Sequence, residues 1–261
     1  MSRDDGAWDE LDRELDAWGT AGQVATLWWR DDDATEPTAA LDRLLDISGQ
    51  HGAPVALAVI PAAAHRALAA RLAAAPALTS VLQHGYAHRN HAPAGEKKAE
   101  LSGHRPPAEV LGELEAGRAR LAELFGATEV PALPVMVPPW NRIDRQVIIG
   151  LARAGYAGLS TYNTRRARFA GPGLLQVNTH ADIVDWHGGR GFLGTAAALG
   201  LLTGHLAARR SGRADPEEPT GLITHHLVHD AACWAFCAEL AERIAGHPSA
   251  RWLDAAGIFN L

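Results

Sequence analysis

The sequence has few cysteines, no excess of basic residues and no long apolar run, and each scarcity excludes a class of protein. Two cysteines in 261 residues exclude a disulfide-stabilised scaffold. The net charge of −6 argues against the basic surface that nucleic-acid binding requires. The most apolar segment, GFLGTAAALGLLTGHLAARR, contains His205 and is too short before its charges to span a bilayer. We therefore expect neither a nucleic-acid nor a membrane partner.

The amino-terminal stretch MSRDDGAWDELDREL is acidic and lacks the basic and apolar regions of a secretory signal, so a cytoplasmic location is expected. Apolar residues make up 47% of the chain, which is enough for a substantial core and argues against disorder. These features favour a folded enzyme or binding domain.

Seven apolar runs of strand length alternate with helical stretches, and this alternation predicts a parallel sheet with crossover helices. A single α/β barrel needs about 250 residues, which suits this chain. We predict an α/β fold, a distorted (β/α) barrel of about seven parallel strands. Residues 1–22 would form an N-terminal helix packed on the barrel, and residues 23–261 one catalytic domain. The seven runs are VATLWW, PVALAVI, TSVLQH, ALPVMVP, YAGLST, LLQVN and TGLITHH.

Residues typical of helix ends mark several of the helices between these runs. Asp144 is suited to cap IDRQVIIGLARAG, which ends at Gly155, and Asp230 is suited to cap AACWAFCAELAERI. Trp8 and Trp18 belong to a set of apolar residues that recur at helical spacing before the first run.

Polar residues follow several strands at the points where parallel strands of a barrel carry catalytic groups. The first strand ends in Asp31, Asp32 and Asp33, whose adjacent charges repel unless Arg30 or a bound cation lies nearby. The third strand leads into HGYAH. Histidines four residues apart can face the same way, and together with one aspartate they would bind a metal ion and leave positions open for water and substrate.

Five short motifs at strand ends resemble, in order, those of the polysaccharide deacetylase family, also called the NodB-homology family or carbohydrate esterase family 4. They are WWRDDDA, HGYAH, VPPWN, DIVDW and LITHH, and they span most of the chain. The fourth matches the D-x-x-D-W pattern of the family at every fixed position, in Asp182, Asp185 and Trp186.

The resemblance implies a role for each matching residue. By this alignment Asp31 is the general base, and His225, held protonated by Asp185, is the general acid. Three further residues would bind the metal ion: Asp32, His84 and His88. Five residues would shape the substrate groove or contact the substrate: Arg30, Pro139, Trp140, Arg142 and Trp186.

Two features depart from the family pattern and leave alternatives open. The third motif has Val137 where the family carries an arginine that orients the catalytic aspartate, so Arg30 or Arg142 would have to take that place. Strand alternation puts Asp31 and Asp33 on one face and Asp32 on the other. The base and the ligand are therefore either Asp31 with Asp32 or a pair that includes Asp33.

The fifth motif is also ambiguous, because THHLVHD offers His225, His226 and His229 as the acid. The resemblance implies a metal-dependent hydrolase that removes an N-acyl group, typically acetyl, from an amino-sugar-containing carbohydrate or a small N-acyl compound. The ligand types favour zinc, with cobalt, nickel, manganese and iron as alternatives. Two other functions stay open: hydrolysis of another amide or ester bond on the same barrel, and carbohydrate binding without catalysis.

Overall fold

A computed structural model describes residues 3–74, 78–130 and 132–261. The helices in this part of the chain are α1 (Arg3–Thr20), α2 (Ala39–His51), α3 (Arg66–Ala73), α4 (Pro107–Phe125), α5 (Arg145–Leu151), α6 (Thr195–Arg210), α7 (Ala231–Gly246) and α8 (Ala255–Phe259). The strands are β1 (Ala25–Ala34), β2 (Val55–Val59), β3 (Thr79–His84), β4 (Ala132–Val137), β5 (Gly158–Leu159), β6 (Phe169–Gly171), β7 (Leu174–Gln176), β8 (Ala181–Asp182), β9 (Thr220–Thr224) and β10 (Ala250–Trp252).

The strands form one sheet in the order β6-β7-β5-β4-β3-β2-β1-β9-β8, and β10 pairs with the first residues of β1. Every pair is parallel except β6 with β7. The predicted parallel α/β architecture is confirmed, and each of the seven predicted runs contains a strand. The sequence did not predict β6, β8 and β10, because two or three residues are too short to show a periodic pattern.

The sheet curls like a barrel, as contacts across its inner face demonstrate. β1 and β5 are four places apart in the sheet order, which in a flat sheet would separate them by about 19 Å. Nevertheless, Nη1 of Arg30 on β1 lies 2.7 Å from Oγ of Ser160, which directly follows β5. Likewise, Nε1 of Trp28 donates to the carbonyl of Asn178, 3.0 Å away, beyond the end of β7. The side chains of Trp28 and Arg30 therefore point into the interior of the curled sheet.

Alternation along β1 divides its side chains between this interior and the surrounding helices. Trp28 belongs to the inner apolar cluster, which α8 closes through Phe259. Trp29 belongs to the larger cluster between the sheet and the helices, together with Leu11 and Leu15 of α1. Both leucines are fully buried, and each stabilises the fold by roughly 2 kcal/mol.

Two predicted helix caps are confirmed. Oδ1 of Asp144 accepts from the backbone N–H of Gln146 at 2.7 Å, and Oδ1 of Asp230 accepts from that of Cys233 at 2.8 Å. The caps fix the starts of α5 and α7, each of which begins just after a loop at the carboxyl end of the sheet. Within the described ranges, none of the helices is long and apolar enough to cross a membrane.

Candidate metal-binding and catalytic site

The end of β1 directs three adjacent carboxylates to three different places. Asp32 shares the inner face with Arg30, whereas Asp31 points toward the helix layer. Between Asp31 and Ala34 the register against β2 shifts, so that β1 contains an extra residue. Asp33 lies in this bulge with a φ of 74°, in the left-handed region that aspartate tolerates better than most residues. The bulge turns Asp33 toward the rim of the sheet.

Asp33 meets His84 and His88 at that rim. His84 is the last residue of β3, and its Nε2 lies 3.2 Å from Oδ1 of Asp33. Nε2 of His88 lies 3.3 Å from the same oxygen, and His88 itself has a φ of 52°. Residues 85–88 therefore form an irregular loop after β3. They do not form the turn of helix that places the two histidines of a helical zinc motif on one face. The two histidines still converge on one point.

A buried glutamate that the sequence reasoning missed holds this loop. The carboxylate of Glu100 accepts three backbone N–H groups, from Tyr86 at 3.1 Å, Ala87 at 2.8 Å and Arg89 at 3.3 Å. Glu100 is almost completely buried, and its charge strengthens these hydrogen bonds. No motif marks it, because it lies in a long polar loop without periodicity.

Asp33, His84 and His88 fit a divalent metal ion. The three ligand atoms lie within 4.8 Å of one another. Oδ1 of Asp33 is buried and receives no hydrogen bond of normal geometry from the described residues. Nδ1 of His84 donates to the carbonyl of Val137 at 3.0 Å, which leaves the lone pair of a neutral ring on Nε2, facing Asp33. Two imidazoles and one carboxylate are a typical ligand set of catalytic zinc sites.

The electrostatics of the cluster also favour a cation. Burial lowers the pKa of His84, but the charges of Asp32 and Asp33 outweigh burial and raise it. Burial raises the pKa of Asp33, but the close contact with His84 and the charges of His84 and other nearby histidines lower it overall. A positive charge between these groups is therefore stabilised, and protons compete with a metal ion for the same place.

Asp32 forms an ion pair with Arg30 and is not part of this cluster. Nε of Arg30 lies 2.8 Å from Oδ1 of Asp32, and Nη2 lies 3.1 Å from Oδ2. The fully buried guanidinium also donates through Nη1 to Oγ of Ser160 and through Nη2 to Oδ1 of Asn141. This geometry differs from the motif alignment, in which Asp32 is a metal ligand, and from the prediction that Arg30 contacts the substrate. The register is shifted by one residue, because the extra residue of the bulge brings Asp33 to the histidines.

Arg30 therefore orients an aspartate, as the family's third-motif arginine is expected to do, but from β1. The other candidate for this task, Arg142, is half-buried and donates instead to the carbonyl of Lys98 at 2.7 Å. The equivalent place at the end of β4 holds Val137, which is fully buried in the inner apolar cluster.

Asp31 lies on the opposite face of β1 from Asp32 and is fully buried. Its Oδ1 accepts from Nδ1 of His226 at 2.5 Å. Its Oδ2 accepts from Oγ1 of Thr224 at 2.6 Å and from the backbone N–H of His226 at 3.0 Å. Both oxygens are therefore occupied by the last residue of β9 and by His226, two residues further on. This position does not suit the role of general base that the motif alignment gives to Asp31.

His225 was expected to pair with Asp185, but its ring contacts Trp186, whose Nε1 donates to Asp182. The charge of His225 lowers the pKa of both Asp33 and Asp182, although burial raises the pKa of Asp182 overall. Oδ1 of Asp185 instead accepts from the backbone N–H groups of His187 and Gly188, at 3.2 and 2.8 Å, and closes a local turn. The first aspartate of the DIVDW motif is therefore linked to His225 through Trp186, and the second shapes the loop.

Two tryptophans stand on either side of the cluster. The Trp140 ring lies 4.3 Å from the His88 ring, and Trp186 contacts the His225 ring edge-on at 4.7 Å. Nε1 of Trp186 donates to Oδ2 of Asp182 at 2.8 Å, which holds the indole while 40% of the residue stays exposed. Pro139, by contrast, is buried against the loop after β3.

A second group with metal-ligand side chains, formed by His180, His205 and Glu218, is fully buried elsewhere in the fold. The backbone N–H of Gly221 donates to Nδ1 of His180 at 2.9 Å, so the proton of this ring must sit on Nε2. Nε2 points toward Glu218 at 3.5 Å and has no lone pair for a metal ion. Burial, the stacked His180 ring and the Arg209 guanidinium lower the pKa of His205 to about 2. This group is a polar part of the core.

No family model matches the sequence, and no curated protein matches it. Solved structures do match. A putative polysaccharide deacetylase from Mycobacterium smegmatis has a TM-score of 0.65 and 17% identity, with 92% of this chain and 90% of that chain covered. A chitin deacetylase from the fungus Colletotrichum lindemuthianum has a TM-score of 0.53 and 16% identity, covering 90% and 88%.

A family 4 acetyl xylan esterase from Clostridium thermocellum, solved with a cobalt ion, has a TM-score of 0.50 and 12% identity, covering 90% of each chain. These likenesses extend over nearly the whole chain in each case. They establish that the chain has the fold of the polysaccharide deacetylases, which confirms the predicted fold class.

Proposed function

We propose that the protein is a metal-dependent hydrolase that removes an N-acetyl or related N-acyl group from an amino-sugar-containing substrate. The observation that carries the proposal is the convergence of Asp33, His84 and His88 on one point, beside an aspartate held by a buried arginine. Proteins with the same fold include a chitin deacetylase and a putative polysaccharide deacetylase, which favours this chemistry among the reactions such a site could perform.

Asp33, His84 and His88 would hold the metal ion. Zinc suits this ligand set, and the cobalt ion of the acetyl xylan esterase structure supports cobalt as an alternative, with nickel, manganese and iron. When bound there, a divalent ion supplies Lewis-acid polarisation of the acyl carbonyl and lowers the pKa of a bound water.

The residues around this ion divide the proton transfers between them. Asp32 would accept the proton of the attacking water, and the bidentate contact from Arg30 orients its carboxylate for that task. His225 would donate a proton to the departing amine nitrogen. Trp140 and Trp186 would form the walls of the sugar-binding groove, because indole rings pack well against the faces of sugar rings and restrict the movement of the bound sugar. In this scheme Asp31 and Asp185 have no direct chemical role.

Two neighbouring aspartates provide the sharpest test. We expect Asp33→Asn to abolish stoichiometric zinc binding, and Asp32→Asn to bind zinc like the wild type while kcat for an N-acetylglucosamine oligosaccharide falls by about 10²–10⁴-fold. Zinc titration and acetate release measure the two effects. Since the substitutions are chemically identical and one residue apart, each serves as the control for the other. Zinc binding that survives Asp33→Asn would remove the metal site from the proposal.

Hydrolysis of an O-acetyl ester is the second candidate function, favoured by the acetyl xylan esterase that shares this fold. An O-acetyl group leaves an alcohol, which needs less help from a general acid than an amine does. Parallel assays on acetylated xylan and on N-acetylglucosamine oligosaccharides separate the two functions. A larger kcat/KM for the ester would replace the amide as the proposed substrate, and activity on neither would leave carbohydrate binding without catalysis.

A further inference from the structure

Asp31 is the one carboxylate of the RDDD stretch to which the proposed reaction gives no task. It is fully buried, carries a negative charge, and points away from the groove toward the helices. Taking a carboxylate out of water is costly unless hydrogen bonds compensate it. A buried charge at this position therefore needs a structural reason.

The partners of Asp31 provide one. All three hydrogen bonds come from Thr224 and His226, the residues on either side of His225. The distances, 2.5 to 3.0 Å, are those of strong charge-assisted bonds. Oγ1 of Thr224 in turn accepts from Nε1 of Trp29 at 2.8 Å, so the network continues along β1. One carboxylate thus holds both ends of a three-residue segment.

The segment matters because its middle residue faces the other way. The ring of His225 contacts Trp186, and its charge acts on Asp33. Asp31 is two residues before Asp33 on the same strand. Its hydrogen bonds therefore link the strand that carries a metal-ligand candidate to the turn that carries the candidate acid. Regular β-pairing cannot supply this link, because the β1–β9 register ends at Asp31 and Thr224.

We propose that Asp31 is a positioning residue, which holds the Thr224–His226 segment on β1 and thereby fixes His225 relative to the metal-binding cluster. The proposal rests on the proposed function, since it assigns His225 the task of protonating the leaving group. Asp31 acts only through His225 and takes no part in proton transfer.

The test exploits the different needs of two leaving groups. An amine leaves only when protonated, whereas the phenolate of 4-nitrophenyl acetate leaves without help. Misplacing His225 should therefore slow deacetylation of an N-acetylglucosamine oligosaccharide and spare the nitrophenyl ester. For Asp31→Asn we expect kcat on the amide to fall by about 10- to 100-fold, with less than a threefold effect on the ester and on zinc affinity.

A matched pair on the partner residue guards against misfolding of the Asp31 variant. Thr224→Val keeps the shape and removes the hydroxyl, while Thr224→Ser keeps the hydroxyl. Val should reproduce the selective loss on the amide, and Ser should retain near wild-type activity. Equal losses on both substrates, or no loss on either, would overturn the positioning role.

Hydrogen exchange separates this proposal from the proposed function. The backbone N–H of His226 donates to Asp31, so Asp31→Asn should speed its exchange by at least about tenfold. Unchanged exchange would overturn the positioning role even in an active enzyme. A wild type without amide activity, but with faster exchange in the variant, would instead refute the proposed reaction and retain the structural link.

Discussion

Glu100 offers a direct test of how the loop after β3 presents His88. In Glu100→Gln the side chain keeps its size but loses its charge and one acceptor oxygen. Oε1 accepts two of the three backbone N–H groups and Oε2 accepts that of Tyr86, so the new amide N–H₂ must face at least one N–H donor. The cost of one unmet, buried, charge-assisted bond is about 2 kcal/mol.

This cost should appear in two measurements. For a domain of this size, about 2 kcal/mol corresponds to a fall in Tm of roughly 4–8 °C. Loss of a group that orients a metal ligand weakens metal affinity by about 10- to 100-fold, and zinc titration followed by calorimetry measures it.

Glu96→Gln is the matched control, because Glu96 lies on the same loop, is exposed, and its carboxylate pairs with the exposed ring of His104. It should change neither quantity. If Glu100→Gln binds zinc as tightly as the wild type, the loop is held by other contacts, and our account of how His88 is positioned is incorrect.

Two further predictions concern stability. Gly85 has a φ of 57°, and a Cβ there would lie 2.7 Å from Pro139, so Gly85→Ala should destabilise the fold by about 2–4 kcal/mol. Gly95 has a φ of 86° but open space around it, so Gly95→Ala should cost only about 1 kcal/mol. Urea unfolding compares the two variants, and equal costs would refute the clash. The pKa of His205 is about 2 in the folded protein and near 6.5 in the unfolded chain, so its contribution to the free energy of unfolding is complete above pH 6.5 and is lost as the pH falls. At pH 4.5 the wild type should have lost roughly 3 kcal/mol of stability from this group. An equally steep decline in His205→Gln would exclude His205 as the cause.

The fold could be predicted from the sequence because its strands are apolar runs of ordinary length separated by capped helices. Asp144 and Asp230 mark helix starts through local chemistry that needs no tertiary information. The parallel order follows from the alternation of strands and helices. The strands β5 and β8 have only two residues each, and pairing with neighbouring strands stabilises them. β5 could be predicted because it lies within a longer apolar run, whereas β8 has no such run around it.

The members of the candidate site could be predicted better than their arrangement. His84 and His88 were identifiable because a spacing of four at a strand end is a recognisable pattern. The choice among Asp31, Asp32 and Asp33 depends on a bulge, and a bulge is set by pairing with β2, which a single strand's sequence does not encode. Glu100 gives no sequence signal, because its partners are backbone N–H groups.

Because of the bulge in β1, an alignment by sequence position and a superposition of the backbone match different aspartates to the same place in the site. Under the roles proposed above, a sequence alignment that matches the first two aspartates of RDDD to a D-D pair places the base and the metal ligand one position too early. Transfer of residue roles between relatives should therefore follow the superposed chain path. Relatives with an arginine directly before three aspartates should have this shifted register and no arginine after the fourth strand, and a deletion of one aspartate should disturb all three positions at once.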